Sequence, residues 1–224
     1  MLSITDGDAV REITLDRPDA RNALTRQGVT ALADAVTAAS QPVVYLHGAG
    51  TAFCAGADLD VVADLDGDTG AAFARRGQRS MNAIADADAV VVAGVDGPAR
   101  GGGVELALAC DVRVCTPAAS FAETGVTLGL FGAWGGTRRL RQAVGTTHAA
   151  DLSLSGRTVD ATDARAMGLV SRIVEDPRAV ADEIAANDPD ALRALQALLG
   201  QNGSQAATDE REAAAFGRLH AEPR

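Results

Sequence analysis

Gly97-Pro-Ala-Arg-Gly-Gly-Gly-Val-Glu-Leu-Ala-Leu-Ala-Cys-Asp111 reads as a glycine triplet that opens an apolar helix, with a single carboxylate, Glu105, on its first turn. Three successive glycines remove every Cβ where a ligand can approach the backbone, and the first amides of the helix have no partner within it. Such a place suits an anion or a developing oxyanion. It equally suits a tight turn where a strand packs on a helix, so the triplet alone does not decide. Just before it, Val90, Val91, Val92, Ala93 and Val95 form a nearly continuous apolar run, the pattern of a strand buried on both faces.

A second glycine loop, Gly48-Ala-Gly-Thr-Ala-Phe-Cys-Ala-Gly-Ala-Asp-Leu59, follows the apolar run Val43, Val44, Tyr45 and Leu46. Two glycine loops, each leaving a buried strand, point to one shared site. Upstream, Val10 to Leu15 reads as a strand, Arg17-Pro-Asp-Ala-Arg-Asn-Ala-Leu24 as its exit loop, and Thr25 as the N-cap of a helix carrying Val29, Leu32, Ala33 and Val36. Residues 61 to 69, rich in Asp and Gly, read as an exposed loop, and Ala71 to Ala85 as a helix. Strand, loop and helix alternate, which predicts an α/β fold with crossover connections.

Downstream, Val112 to Cys115 and Ser120 to Ala122 are short strand candidates, and the glycine-rich run from Glu123 to Gly136 is a second wall for the site. Thr137 to Val144 reads as a helix ended by Gly145. A short capped helix, Asp160 to Gly168, leads into a strand over Leu169 to Val174. From Asp176 onward only helical patterns remain, with breaks near residues 187–189 and 200–203. A core over residues 1–175 and a helical region over 176–224 follow from this division.

The 224 residues suffice for one domain with a substantial core. The apolar fraction, 47%, is carried largely by alanine, and with only 3% aromatics the helices should pack through small side chains. A net charge of -10 without a basic stripe argues against nucleic acid as a partner. All 20 basic residues are arginine, which fits either a GC-rich genome or a high-salt cytoplasm. No segment is long and apolar enough to span a bilayer, and the N-terminus lacks a signal-peptide pattern, so the expected location is cytoplasmic. Cys54, Cys110 and Cys115 lack metal or redox spacing and read as small core residues; the three histidines are scattered, and no metal site is expected.

Five motifs, Arg17 to Leu24, Ala52 to Leu59, Gly97 to Asp111, Gly135-Gly-Thr-Arg-Arg-Leu140 and Ala164-Arg-Ala-Met-Gly-Leu-Val170, resemble in order and spacing the enoyl-CoA hydratase/isomerase (crotonase) superfamily along nearly the whole chain. The resemblance implies a crotonase-like spiral of ββα repeats, a helical C-terminal trimerisation region, assembly as a homotrimer or hexamer, and an acyl-CoA thioester as substrate. Coenzyme A then belongs to the substrate, and no separate cofactor is implied. The amides of Ala57 and Gly102 match the pair that holds the thioester oxygen, and Glu105 matches one of the two catalytic glutamates. Ala55, Asp58, Leu59, Gly101, Thr124, Gly125 and Trp134 match the walls of the acyl site. Asp58 reads either as a shaper of its loop or as a helix cap. Arg21 and Ala23 match the segment along coenzyme A, where Arg21 is either a phosphate partner or a solvated arginine.

The chain departs from the family pattern in three places. The second catalytic glutamate falls on Gly125, so hydration, which needs a base for water and an acid for carbon, is expected to be inefficient, since such help is worth roughly 10² to 10⁴ in rate. Glu123, two residues earlier, is a further catalytic candidate or else a solvated or structural acid. The Thr124-Gly125 pair also resembles the dihydroxynaphthoyl-CoA synthases, in which bicarbonate replaces the missing side chain. Trp134 either shortens the acyl pocket or packs beneath its loop. The last helix stops short of the family's basic tail. The expected activity is that of an acyl-CoA enzyme, of hydratase type by resemblance. Isomerase, decarboxylase and thioesterase chemistry, or acyl-CoA binding without turnover, are the alternatives.

Overall fold

A computed structural model describes residues 1–200 and 204–221. An antiparallel pair, β1 (Leu2–Asp6) and β2 (Val10–Leu15), leads through the exit loop to α1 (Arg26–Thr37) and then β3 (Val43–Gly48). Thr25 caps α1, its hydroxyl accepting from the Gly28 amide at 3.1 Å. Two helices, α2 (Leu59–Ala63) and α3 (Gly67–Ala85), precede β4 (Val90–Val95), and the short β5 (Pro98–Arg100) delivers the chain to α4 (Gly102–Ala109). Next come β6 (Val112–Cys115), β7 (Ser120–Ala122), a 3-10 turn over Thr124–Leu128, α5 (Gly136–Ser155), β8 (Val159–Asp160), α6 (Ala161–Met167) and β9 (Arg172–Ile173). The remaining described chain is helical: α7 (Pro177–Ala185), α8 (Pro189–Leu199) and α9 (Gln205–Ala221).

Six strands form one sheet in the order β1-β2-β3-β4-β6-β9, parallel from β2 onward. A smaller sheet, β5-β7-β8, lies beside it. Alternation along the central strands divides the apolar residues between two cores. Val44, Leu46, Val91, Ala93 and Val95 join the main core with residues of α1, α3 and α4. Val43, Tyr45, Val90 and Val92 meet Val180 and Ala181 of α7 on the other side. Both faces of β4 are therefore covered, as its unbroken apolar run predicts.

The structure corrects several local expectations. Residues 61–69 are largely exposed, as expected, but most of them are helical: they span the end of α2 and the start of α3, which Asp58 and Asp66 cap. The α3 cap is reciprocal, Thr69 N donating to Asp66 Oδ1 at 2.8 Å and Asp66 N to Thr69 Oγ1 at 2.9 Å. Asp66, one of the aspartates that suggest a loop, is there as a helix cap. Gly145 breaks the helical backbone (φ 73°, ψ 170°), but α5 resumes at once and runs to Ser155. Only Arg172–Ile173 of the expected strand over 169–174 pairs in the sheet. Part of the expected break at 200–203, and the last three residues of the expected final helix, lie outside the described residues.

Candidate active site

The two glycine loops and the exit loop meet at one place through a short chain of backbone bonds. Ala55 N donates to Arg21 O at 2.9 Å, Leu24 N to Gly56 O at 2.8 Å, and Asp58 N to Leu24 O at 3.0 Å. On the other side Arg100 N donates to Cys54 O at 3.0 Å. The loop from Cys54 to Asp58 is thus fastened between the exit loop and β5.

Asn22, fully buried and in the left-handed region (φ 59°), locks this arrangement. Its Nδ2 donates to the carbonyls of Ala49 (2.9 Å) and Ala52 (2.7 Å), and its Oδ1 accepts from Arg17 N. Arg17 in turn donates to Ala23 O at 2.7 Å and to Asp58 at 2.9 Å. These two positioning residues were quoted in the sequence motif but given no role there. Their signal is the Arg17 to Asn22 turn itself, which needs a residue that tolerates positive φ and bonds locally. Asp58 is occupied by Arg17 and the Asp60 amide, which hold its carboxyl below the usual carboxylate range, and it does not face the cavity. Its matched place in the acyl wall is therefore corrected to a loop anchor and helix cap.

The triplet shows why glycine is needed at particular atoms. Gly101 has φ 47° and ψ -114°, a conformation open to glycine alone, and a Cβ on Gly103 would collide with the Cys54 carbonyl. Gly56 (φ 92°) comes close enough that a Cβ there would sit 2.9 Å from Gly102 N. The next amide after Gly56, that of Ala57, and the amide of Gly102 are consequently neighbours. Neither has a hydrogen-bond partner among the described residues, whereas Gly101 N is already bonded to Ala122 O.

Glu105, 1% exposed, lies one turn further along α4. Its Oε1 accepts from Trp134 N and Gly136 N, each at 2.7 Å. Gly136 opens α5, so the carboxylate sits at a helix N-terminus. A Cβ on Gly136 would lie 2.7 Å from Glu105 Cγ, which explains glycine there. Burial raises the Glu105 pKa, while these two amides and the Arg139 guanidinium pull the other way; burial prevails.

A cavity of about 420 Å³ opens over these groups. Ala55, Ala57, Leu59, Gly101, Gly102, Glu105, Thr124, Gly125 and Trp134 all border it, and Val62, Leu65 and Phe73 make the opposite wall apolar. Trp134 packs beneath its loop, one of its two sequence readings, and also lines the cavity. It is 3% exposed, with its indole in space left by Gly77 and Gly102 and steeply inclined to the Phe73 ring (66°, centroids 5.6 Å apart). At Gly125 a Cβ would approach Phe131 Cα at 3.0 Å. Exposed Arg21 (φ 49°) and half-buried Ala23 stand outside the cavity, on the flank of the Ala55 to Ala57 loop.

Glu123 is neither solvated nor part of the cavity wall. It is 8% exposed and lies behind Phe131 and Gly132, with its pKa pushed up to about 8 by burial and by the nearby charge of Glu105. Cys54, Cys110 and Cys115 are buried and unpaired, as expected of core residues.

The family model for enoyl-CoA hydratase/isomerase matches residues 5–220. The chain is 36% identical over 208 residues to the probable enoyl-CoA hydratase echA8 of Mycobacterium tuberculosis, covering 90% of this chain and 76% of that one. It is 35% identical over 199 residues to the human mitochondrial enoyl-CoA hydratase domain-containing protein 2, covering 82% and 68%. Among solved structures it superposes on an enoyl-CoA hydratase from Bacillus anthracis with a TM-score of 0.91 at 29% identity, covering 99% and 91%. It also superposes on a candidate enoyl-CoA hydratase from Thermobifida fusca in complex with acetoacetyl-CoA, with a TM-score of 0.87 at 32% identity, covering 99% and 95%. The architecture is the crotonase fold, and the chain is a member of the enoyl-CoA hydratase/isomerase family of enzymes.

Proposed function

We propose that the protein acts on an acyl-CoA thioester through an enolate held by the amides of Ala57 and Gly102, with Glu105 moving the proton. The observation that carries this reading is the convergence, at one cavity, of two unpartnered amides and one oriented carboxylate. Loss of an α-proton places negative charge on the thioester oxygen. Preorganised donors stabilise that charge, typically by roughly 3 to 4 kcal/mol per donor, and the N-terminus of α4 adds its dipole. With Oε1 fixed by two amides, Oε2 is the oxygen left to exchange a proton with the substrate.

The apolar wall suits an acyl chain, with Trp134 limiting its length, and the acetoacetyl-CoA complex of the Thermobifida fusca relative supports the substrate class. We assign the phosphates of coenzyme A to Arg21, which is exposed outside the cavity on the exit-loop side. We take Gly125 as the replacement for the second glutamate, which favours proton transfer between carbons over rapid hydration. The apolar side chains of Leu195, Leu199 and Phe216, exposed on α8 and α9, support assembly into a homotrimer or hexamer.

The test is incubation of the purified protein with crotonyl-CoA in D₂O, where the enolate forms by loss of a γ-proton, following deuterium at the α- and γ-carbons, hydration product and free thiol. Deuterium incorporation or hydration is expected, and Glu105→Gln should lower its rate at least about 10²-fold while acyl-CoA affinity changes little. Thiol release would reassign the protein as a thioesterase. Binding without any turnover would reassign it as an acyl-CoA carrier, and a Glu105→Gln variant with wild-type kcat would remove Glu105 from the mechanism.

A further inference from the structure

Glu123 lies beside Glu105 and has no part in the reaction just described. It follows β7 directly, and its Oε1 is shut off from solvent without a hydrogen-bond partner. No cation pairs with it among the described residues. A Cβ on Gly132 would lie 3.0 Å from Glu123 Oε2 and 3.1 Å from Glu105 Oε2, so the two carboxyls crowd the same face of one glycine. On its far side Glu123 borders a second cavity, of about 30 Å³, together with Thr137 and Ser153.

The two acids have unequal surroundings. Glu105 has two amide donors and the Arg139 guanidinium to support a negative charge, although Arg139 also donates to Asn82 and to Trp134 O. Glu123 has neither donor nor cation. A buried carboxylate without compensation is costly, and more so next to a like charge, so of the two it is Glu123 that keeps its proton. A cavity of about 30 Å³ bordered by a carboxyl and two hydroxyl-bearing residues has room and partners for about one water.

We propose that Glu123 is a positioning residue for Glu105: the two side chains form a carboxyl–carboxylate pair that carries one proton, held on Glu123, with a water in the small cavity between Glu123, Thr137 and Ser153. The charge of the pair is thereby kept on Glu105, the member that faces the acyl cavity. The two acids titrate as a unit, and their apparent values belong to the pair. When Glu123 ionises at alkaline pH, the second negative charge raises the proton affinity of Glu105 and opposes charge on the enolate. The catalytic consequence rests on the acyl-CoA reading above; the pair itself does not.

The experiment is a carbon-13 titration of protein labelled at the glutamate side-chain carboxyls, run alongside a pH profile of deuterium incorporation into crotonyl-CoA. One resonance, lost in Glu123→Gln, should titrate near pH 8, and Glu105→Gln should move its midpoint down by at least one pH unit. The wild-type rate should fall about tenfold per pH unit above that midpoint, and Glu123→Gln should lose this limb. An ordinary carboxyl midpoint for Glu123, or one indifferent to Glu105→Gln, overturns the pair. Parallel profiles for wild type and Glu123→Gln overturn the positioning role, as does a wild-type rate without an alkaline limb. The pair observed in a protein with no turnover on acyl-CoA would instead refute the proposed reaction and, with it, the positioning role. Should Glu123→Gln fail to fold, the wild-type and Glu105→Gln titrations still decide the pair.

Discussion

At the residue scale, burial without a partner has a cost that depends on pH. The folded-state pKa of Glu123, about 8, stands above its ordinary value of 4.5. The stability of the folded protein is therefore greatest below pH 4.5 as far as this group is concerned, falls as pH rises toward 8, and is level beyond. The slope is at most about 1.4 kcal/mol per pH unit. Glu123→Gln removes the slope, so its stability advantage over the wild type should widen by a few kcal/mol between pH 5 and pH 8 in denaturant unfolding. A constant difference would mean that Glu123 titrates alike in the folded and the unfolded chain. Gly125 offers the opposite experiment. Gly125→Glu adds a carboxylate at the cavity wall, at the cost of moving the Leu130 and Phe131 backbone by a few tenths of an ångström. Crotonyl-CoA hydration should then increase by up to roughly 10²-fold, and no increase would mean that the lack of a carboxylate at Gly125 does not limit hydration.

At the element scale, the site depends on how closely α4 approaches the Cys54 to Asp58 loop. Gly103 touches the Cys54 carbonyl, and both groups are backbone, so neither can rotate away. Gly103→Ala should cost about 1 to 3 kcal/mol by thermal unfolding and lower kcat as well, because separating the two loops separates the Ala57 and Gly102 amides. Normal stability with normal kcat would show that the loops tolerate separation. The motifs of this region were legible before any fold was known. The glycine triplet, the loop ending at Asp58 and the acid at Glu105 are local patterns, and each is found where its pattern placed it. The cap at Asp66 was read as part of a loop because acidic, glycine-bearing segments look alike whether they cap a helix or avoid one, whereas the helix-cap reading of Asp58 holds.

At the scale of the whole molecule, the parallel sheet holds both glycine loops at the ends of β3 and β4, while α7 closes its other side. Two helices remain that bury little: α8 has no fully buried residue, and α9 has only Ala215. In the assembly proposed above, their exposed Leu195, Leu199 and Phe216 supply the surface for a neighbouring copy. Light scattering on the eluting protein should give three or six times the 22.8 kDa chain mass, and Leu199→Asp should lower it. A monomer at micromolar concentration would assign these helices no role in assembly.

The sequence by itself determined the strand–loop–helix alternation, the buried parallel strands, the glycine loops and the acid that follows the second of them. Each of these is written in residues close together along the chain, as period-two alternation, helical spacing or the steric freedom of glycine. Only the tertiary structure decided that Asn22 fastens Ala49 and Ala52, that Arg17 anchors Asp58, and that the amides of Trp134 and Gly136 orient Glu105. It alone placed Glu123 in a buried pocket against the same glycine as Glu105. These contacts join residues far apart in the chain. Whether a polar side chain is solvated, bonded or buried beside a like charge depends on what the fold packs around it.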